Sequence, residues 1–178
     1  MTATFLSLDL IEEISKESGG SGRFINPSKI EGEIRLRFFG EAISGFEAWT
    51  DENKPVRWET KPEKLPANIR VQEGFTTLKR FIAIKVYDYA AEDFKILQMT
   101  QKTLMDQLFK YVKDEDYGDP TGYDVKLSKT GEGKKTEYTL IASPPKPVTK
   151  EIQAAYAAWY CNLPALFDGD DPFAEASA

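Results

Sequence analysis

The residues best suited to chemistry in this chain are cations set beside flat rings. Arg35, Arg37 and Phe39 recur at every second position, as do Lys79, Phe81, Lys85 and Tyr87 along a neighbouring stretch. In an extended chain that alternation puts each set on one side of a strand. Guanidinium and ammonium groups contact phosphates, and aromatic rings stack on unpaired bases at ~1–3 kcal/mol per base. Cations alone take duplex and single strand without preference, whereas rings favour unpaired bases. A second reading of Phe39, Phe81 and Tyr87 stays open: they form a second core layer under a helix, and their basic neighbours are ordinary surface. Trp49, Arg57 and Trp58 flank a Lys54-Pro55 turn, where the tryptophans either stack bases or pack a barrel mouth. Lys134 and Lys135 sit in a glycine-flanked hairpin as phosphate contacts or as solvated loop lysines.

Other chemistry is narrowed by absence. The sequence has no histidine and one cysteine, Cys161. That removes histidine general bases, Ser–His and Cys–His nucleophiles, an internal disulfide and a thiolate zinc site. Glu115, Asp116, Asp119 and Asp124 are the densest acids, but their spacing does not follow the calcium-loop pattern, and they read as a solvated acidic loop. No catalytic residue, metal or cofactor is assigned, and a non-enzymatic protein is expected.

Charge sharpens this. The net charge is -6. Residues 1–22 hold one Lys against four acids, and residues 168–178 hold four acids and no base, which leaves +1 for the middle. The total is therefore a poor guide to what the middle binds. The C-terminal acids Asp168, Asp170 and Asp171 precede Phe173. Such a tail mimics phosphate and competes for the chain's own basic groove, presents its aromatic to partner proteins, or merely solubilises.

The elements that must position these residues follow from periodicity. Ile34, Leu36 and Phe38 alternate with the first basic set, and Ile82, Ile84 and Val86 with the second, so two strands each show an apolar and a basic-aromatic face. Gly40 and Gly45 punctuate the first strand, and Phe46–Trp49 begins a returning one. Residues 51–74 are rich in charge and proline and read as a long loop or ribbon. A strand at 94–97 is followed by a helix capped by Thr100 and running to about Val112. Strands at 123–128 and 136–141 form a hairpin, and a helix spans about 148–162. The expected division is a flexible N-terminal segment at 1–22, a core at 23–147, a C-terminal helix at 148–163 and a disordered acidic tail at 164–178. The expected class is mainly β with helices (α+β): an OB-fold-like five-stranded barrel with an inserted helix. No apolar run reaches the ~18 residues of a membrane span, and the first residues lack the basic start of a signal peptide.

Asn26-Pro27-Ser28, IRLRFFGEAISGFEAWT, KPVRW, KILQMTQKTLMDQL, YGDPTGYDVKLSKTGEGKKTEYTL and SPPKP together resemble the single-stranded-DNA-binding proteins of tailed phages, and more distantly the helix-destabilising protein of phage T4. The resemblance covers about residues 24–152. It implies an OB-fold, sequence-tolerant binding of single-stranded DNA, and a role in replication, recombination or repair in the cytoplasm of an infected host. It further implies replication or recombination partners recruited by the tail. The T4 protein's zinc site and basic N-terminal cooperativity motif have no counterpart here, so zinc is not carried over. The alternative class is a protein-interaction or phage structural module on a small barrel.

Overall fold

The computed structural model describes residues 22–74 and 76–175. The expected N-terminal segment, Gly22 apart, lies outside the described residues, as do the last three residues of the tail. The architecture is mainly β, a curled open sheet with helices on both faces. In chain order the strands are β1 (Phe24–Ile25), β2 (Gly32–Trp49), β3 (Pro55–Trp58), β4 (Lys79–Asp88), β5 (Asp93–Met99), β6 (Asp124–Thr130) and β7 (Glu137–Ala142). Helix α1 (Lys102–Lys113) lies between β5 and β6. Helix α2 (Lys150–Ala158) and a 3-10 helix (Leu163–Asp168) follow β7.

The sheet runs β1-β5-β4-β2-β6-β7, with β3 paired to the far end of β2. It departs from a five-stranded barrel in two ways. Short β1 and β3 add to it, and its outer strands β1 and β7 are not paired with each other among the described residues. Strand β2 also departs from expectation. It does not stop at Gly40 and return after Gly45 but continues through both over 18 residues. Gly40 adopts φ +65°, and the register with β4 shifts between Phe39 and Ile43. A bulge of this kind bends a strand and increases its twist. The first part of β2 pairs with β6, the last part with β3, and β4 follows both. At Gly45 a side chain would strike the Trp58 carbonyl and come within 2.9 Å of Phe167, so glycine there lets three segments converge.

The inner face carries the apolar alternation read from sequence. Leu36, Phe38, Ile82, Ile84, Val86, Leu97, Val125 and Leu127 are buried against Leu104, Met105 and Leu108 of α1. That spacing puts the three α1 residues on one side of the helix. The helix begins one residue later than expected, with Gln101 rather than Thr100 at its N-cap and no side-chain capping bond. Gln107 of α1 reaches the free edge of β7. Its Oε1 accepts from the Leu140 N–H (2.8 Å), and its Nε2 donates to the Tyr138 carbonyl (2.9 Å).

The outer face is roofed by the C-terminal segment, and here the expected disordered tail is corrected. Leu163 and Leu166 close over Phe81, Ala83 and Ile96 as a second core. Tyr156 of α2 stacks on Phe39 with ring centroids 4.6 Å apart, and Trp159 stacks on Phe94 at 5.2 Å. Residues 164–175 fold back on themselves, the Asn162 N–H donating to the Pro172 carbonyl at 2.8 Å. Burial of Leu163, Ala165, Leu166 and Pro172 is what orders them. Helix α2 is shorter than the expected span. It starts where the Thr149 hydroxyl accepts from the Ile152 N–H (3.3 Å). Among the described residues no helix is long and apolar enough to cross a membrane.

Candidate nucleic-acid interface

Strand pairing brings the predicted basic and aromatic residues onto one face. Phe39 lies opposite Lys85, Arg37 opposite Tyr87, and Glu47 opposite both Lys79 and Arg57. Directly opposed residues share a side of the sheet, so the outer face runs from Arg35 and Arg37 at one end, through Phe39, Lys85 and Phe81, to Lys79, Arg57 and Trp49 at the other. What lies over this face decides which of them are usable.

The middle is taken by packing. Phe81 is fully buried, and half-buried Phe39 has Tyr156 stacked on it and meets Phe94 edge-on. The C-terminal segment covers Phe81 and stacks Tyr156 on Phe39, so Phe81 packs in a second core layer and Phe39 is partly taken by the same packing. Lys85 is half-buried with its ammonium 5.9 Å from the Tyr156 ring centre.

The Arg35 end is built around a buried carboxylate. Asp124 is fully buried, not part of a solvated loop. Arg35 donates to its Oδ2, Arg37 Nη1 to its Oδ1 (3.3 Å), and the Tyr89 hydroxyl to Oδ1 (2.6 Å). Burial pushes the Asp124 carboxyl up, but hydrogen bonds from Tyr89, Arg35 and Arg37 outweigh it and hold the group below its ordinary range. Arg37 is buried and also donates to the carbonyls of Thr121 (2.9 Å) and Lys146 (2.8 Å). It is a structural clamp, not a phosphate ligand. Arg35 keeps 42% of its side chain exposed, its guanidinium 4.4 Å over the Tyr89 ring.

The other end stays open. A cleft of about 1150 Å³ runs between β1, the start of β3, the end of β2 and the turn after the 3-10 helix, and Trp49, Arg57, Lys79, Lys29 and Lys54 line it. Trp49 is 40% exposed. Its indole N–H donates to Glu47 Oε1 at 3.2 Å. Glu47, itself buried, also accepts from Arg57 Nε at 2.9 Å and from Gln98. One carboxylate thus fixes the tryptophan and neutralises Arg57, leaving lysines as the free cations. Lys54 meets only the exposed Glu52 at 3.6 Å, and Lys29 and Lys79 have no ion pair among the described residues. Asp170 and Asp171 stand on the same cleft's wall.

Sequence reading brought Trp49, Arg57 and Lys79 to this site and missed Lys29. Lys29 follows a 3-10 turn whose Asn26 side chain accepts from the Ser28 N–H at 3.0 Å, and the Asn-Pro-Ser string was the available signal. The remaining predicted residues lie elsewhere. Trp58 pairs with Phe46 on the inner side of the sheet, and Lys134 and Lys135 are exposed in the β6–β7 turn. Tyr87 borders α2. Asp168 is exposed at the end of the 3-10 helix. Phe173 packs edge-on to Phe24 (5.5 Å) with the Arg23 guanidinium 4.7 Å from its ring centre, so it is held within the chain. Glu115, Asp116 and Asp119 gather no metal-ligating group with Asp124, and none exists among the described residues. The Cys161 thiol, half-buried in the second core, is pushed up to about 11 by burial. The chain matches no protein-family description, no curated protein and no solved structure.

Proposed function

We propose that this chain is a non-enzymatic, sequence-tolerant single-stranded-DNA-binding protein, and that the strand enters the cleft beside Trp49. The carrying observation is a half-exposed tryptophan, fixed by a buried glutamate, among lysines that have no strong partner. Single-strand binding needs that pairing of a stacking platform with phosphate contacts. A long bent strand, β2, shared by both halves of a curled sheet, with α1 in the crossover from β5 to β6, supports an OB-like reading of the fold. The resemblance to tailed-phage single-strand binders supports the same assignment, with DNA replication, recombination or repair in the host cytoplasm as its setting. Partner proteins recruited through the acidic tail belong to this reading, as does self-association through the apolar Phe5, Leu6, Leu8, Leu10, Ile11 and Ile14 of the N-terminal segment.

The test is titration of tryptophan fluorescence with oligo-dT at several salt concentrations. Wild-type protein quenches and binds oligo-dT more tightly than duplex. Trp49→Ala loses affinity by about tenfold or more, the worth of one stacked base. Lys79→Ala makes the log–log salt dependence shallower by about 0.7. Absence of quenching, or equal affinity for duplex, rejects the proposal and leaves the protein-interaction module as the reading.

A further inference from the structure

A second recess has the opposite polarity. Between α2 and the β4–β5 turn lies a crevice of about 440 Å³, inside the ~300–1,000 Å³ range of ligand sites. Its aromatic walls are Tyr87, Phe94 and Trp159. Phe94 and Trp159 lie 5.2 Å apart at an interplanar angle of 23°, and Tyr87 meets Phe94 edge-on at 5.1 Å. Glu92, Asp93 and Glu151 supply its acidic groups, and Ile152, Ala155 and Ala158 of α2 the rest of its lining.

No lysine or arginine answers those acids. Among the described residues none of Glu92, Asp93 and Glu151 is in an ion pair, and the nearby Lys95 is committed to Asp88 at 2.9 Å. The negative potential is felt within the crevice. The Tyr87 phenol is shifted above its ordinary range first by burial, then by Glu92, Asp93 and Asp88. Ring faces carry negative quadrupole charge and attract cations within ~6 Å, and they do so more strongly where water is partly excluded. Aromatic walls with an acidic rim complement a cation on an apolar stem, which describes the side chains of arginine and lysine. A polyphosphate strand meets repulsion here, so this recess is no extension of the Trp49 cleft.

We propose that this crevice receives an arginine or lysine side chain from a basic segment of a partner protein. The inference stands apart from DNA binding, and its test contains no DNA. The full chain, labelled with nitrogen-15, is titrated with a hexa-arginine peptide and separately with hexaglutamate at low salt. Hexa-arginine is expected to move the Trp159 indole signal and the Glu92 and Asp93 amides, and hexaglutamate to move none of them. Because a net charge of -6 draws polycations in general, two charge-reversed proteins are compared. Glu92→Lys with Glu151→Lys should weaken binding about tenfold. Glu132→Lys with Glu137→Lys, at the exposed β6–β7 turn, should leave the Trp159 response in place. Equal loss in both double variants, no response at Trp159, or equal binding of hexaglutamate overturns the proposal.

Discussion

Asp124 joins three elements through one carboxylate. Arg35 and Arg37 come from β2 and Tyr89 from the turn just after β4, and all donate to a side chain with no exposure. Its pKa is depressed in the folded protein, so its contribution to stability is complete above the unfolded value of about 3.9 and disappears as pH falls through the folded one. Removing one partner of a buried ion pair costs ~3–5 kcal/mol, because the other charge is left without compensation. Asp124→Asn should therefore be less stable by about that amount near neutrality, and its stability should fall less steeply with acid than that of wild type. Urea melts at about pH 7 and about pH 2.5 measure both. The alternation of Tyr123, Val125 and Leu127 already placed Asp124 on the far side of its strand. Its burial was not legible, because which arginine lies across from it depends on the register of β2 against β6, and register is set by tertiary pairing.

Elements that alternate strongly were readable, and those defined by their neighbours were not. β4, β6 and β7 announce themselves because one side of each faces α1 or the inner core. β1 and β3, at 2 and 4 residues, exist through pairing with β5 and β2 and leave no periodic trace. Glycine usually punctuates a strand, so Gly40 suggests a strand end; here it supplies the left-handed residue of a bulge within one continuous strand. The edge of β7 is guarded by a device that lies 31 residues away from Tyr138 in the chain, the amide of Gln107. Exposed strand edges pair with other chains unless blocked. Gln107→Ala should lower stability by ~1–2 kcal/mol for two lost hydrogen bonds and introduce concentration-dependent association. Denaturant midpoints and sedimentation at increasing protein concentration check the two parts, and unchanged values in both would show that α1 shields the edge by bulk alone.

For the molecule as a whole, charge distribution is more informative than net charge. The acidic ends were plain in the sequence, and the cleft collects Asp170 and Asp171 from the C-terminal one beside Lys54 and Lys79. These aspartates disfavour a phosphate at the same wall. Asp170→Asn with Asp171→Asn should tighten oligo-dT binding about three- to tenfold at low salt, with the gain shrinking as salt rises. Direct titration reads this, and weaker binding in the variant would mean that the two acids organise the cleft instead of competing for it. Deleting the whole tail is a poorer test, since Pro172 and Phe173 belong to the packed structure. That packing escaped the sequence reading because Leu163, Leu166 and Phe167 keep helical spacing for only about one turn, next to Pro164 and before Gly169, and Phe173 lies beyond a run of glycine and aspartate.

The roof over the outer face also sets an order of events during synthesis. The sheet surface bearing Phe39, Phe81, Phe94 and Ile96 is complete once β5 has been made, while Leu163 and Leu166, which cover part of it, are translated well after Met99 ends β5. At ~5–20 residues per second, a nascent chain spends several seconds with this greasy surface bare. Ribosomal stalling in that window, or a premature stop before residue 163, leaves a polypeptide with this apolar side uncovered, and such fragments become clients for chaperones and proteases.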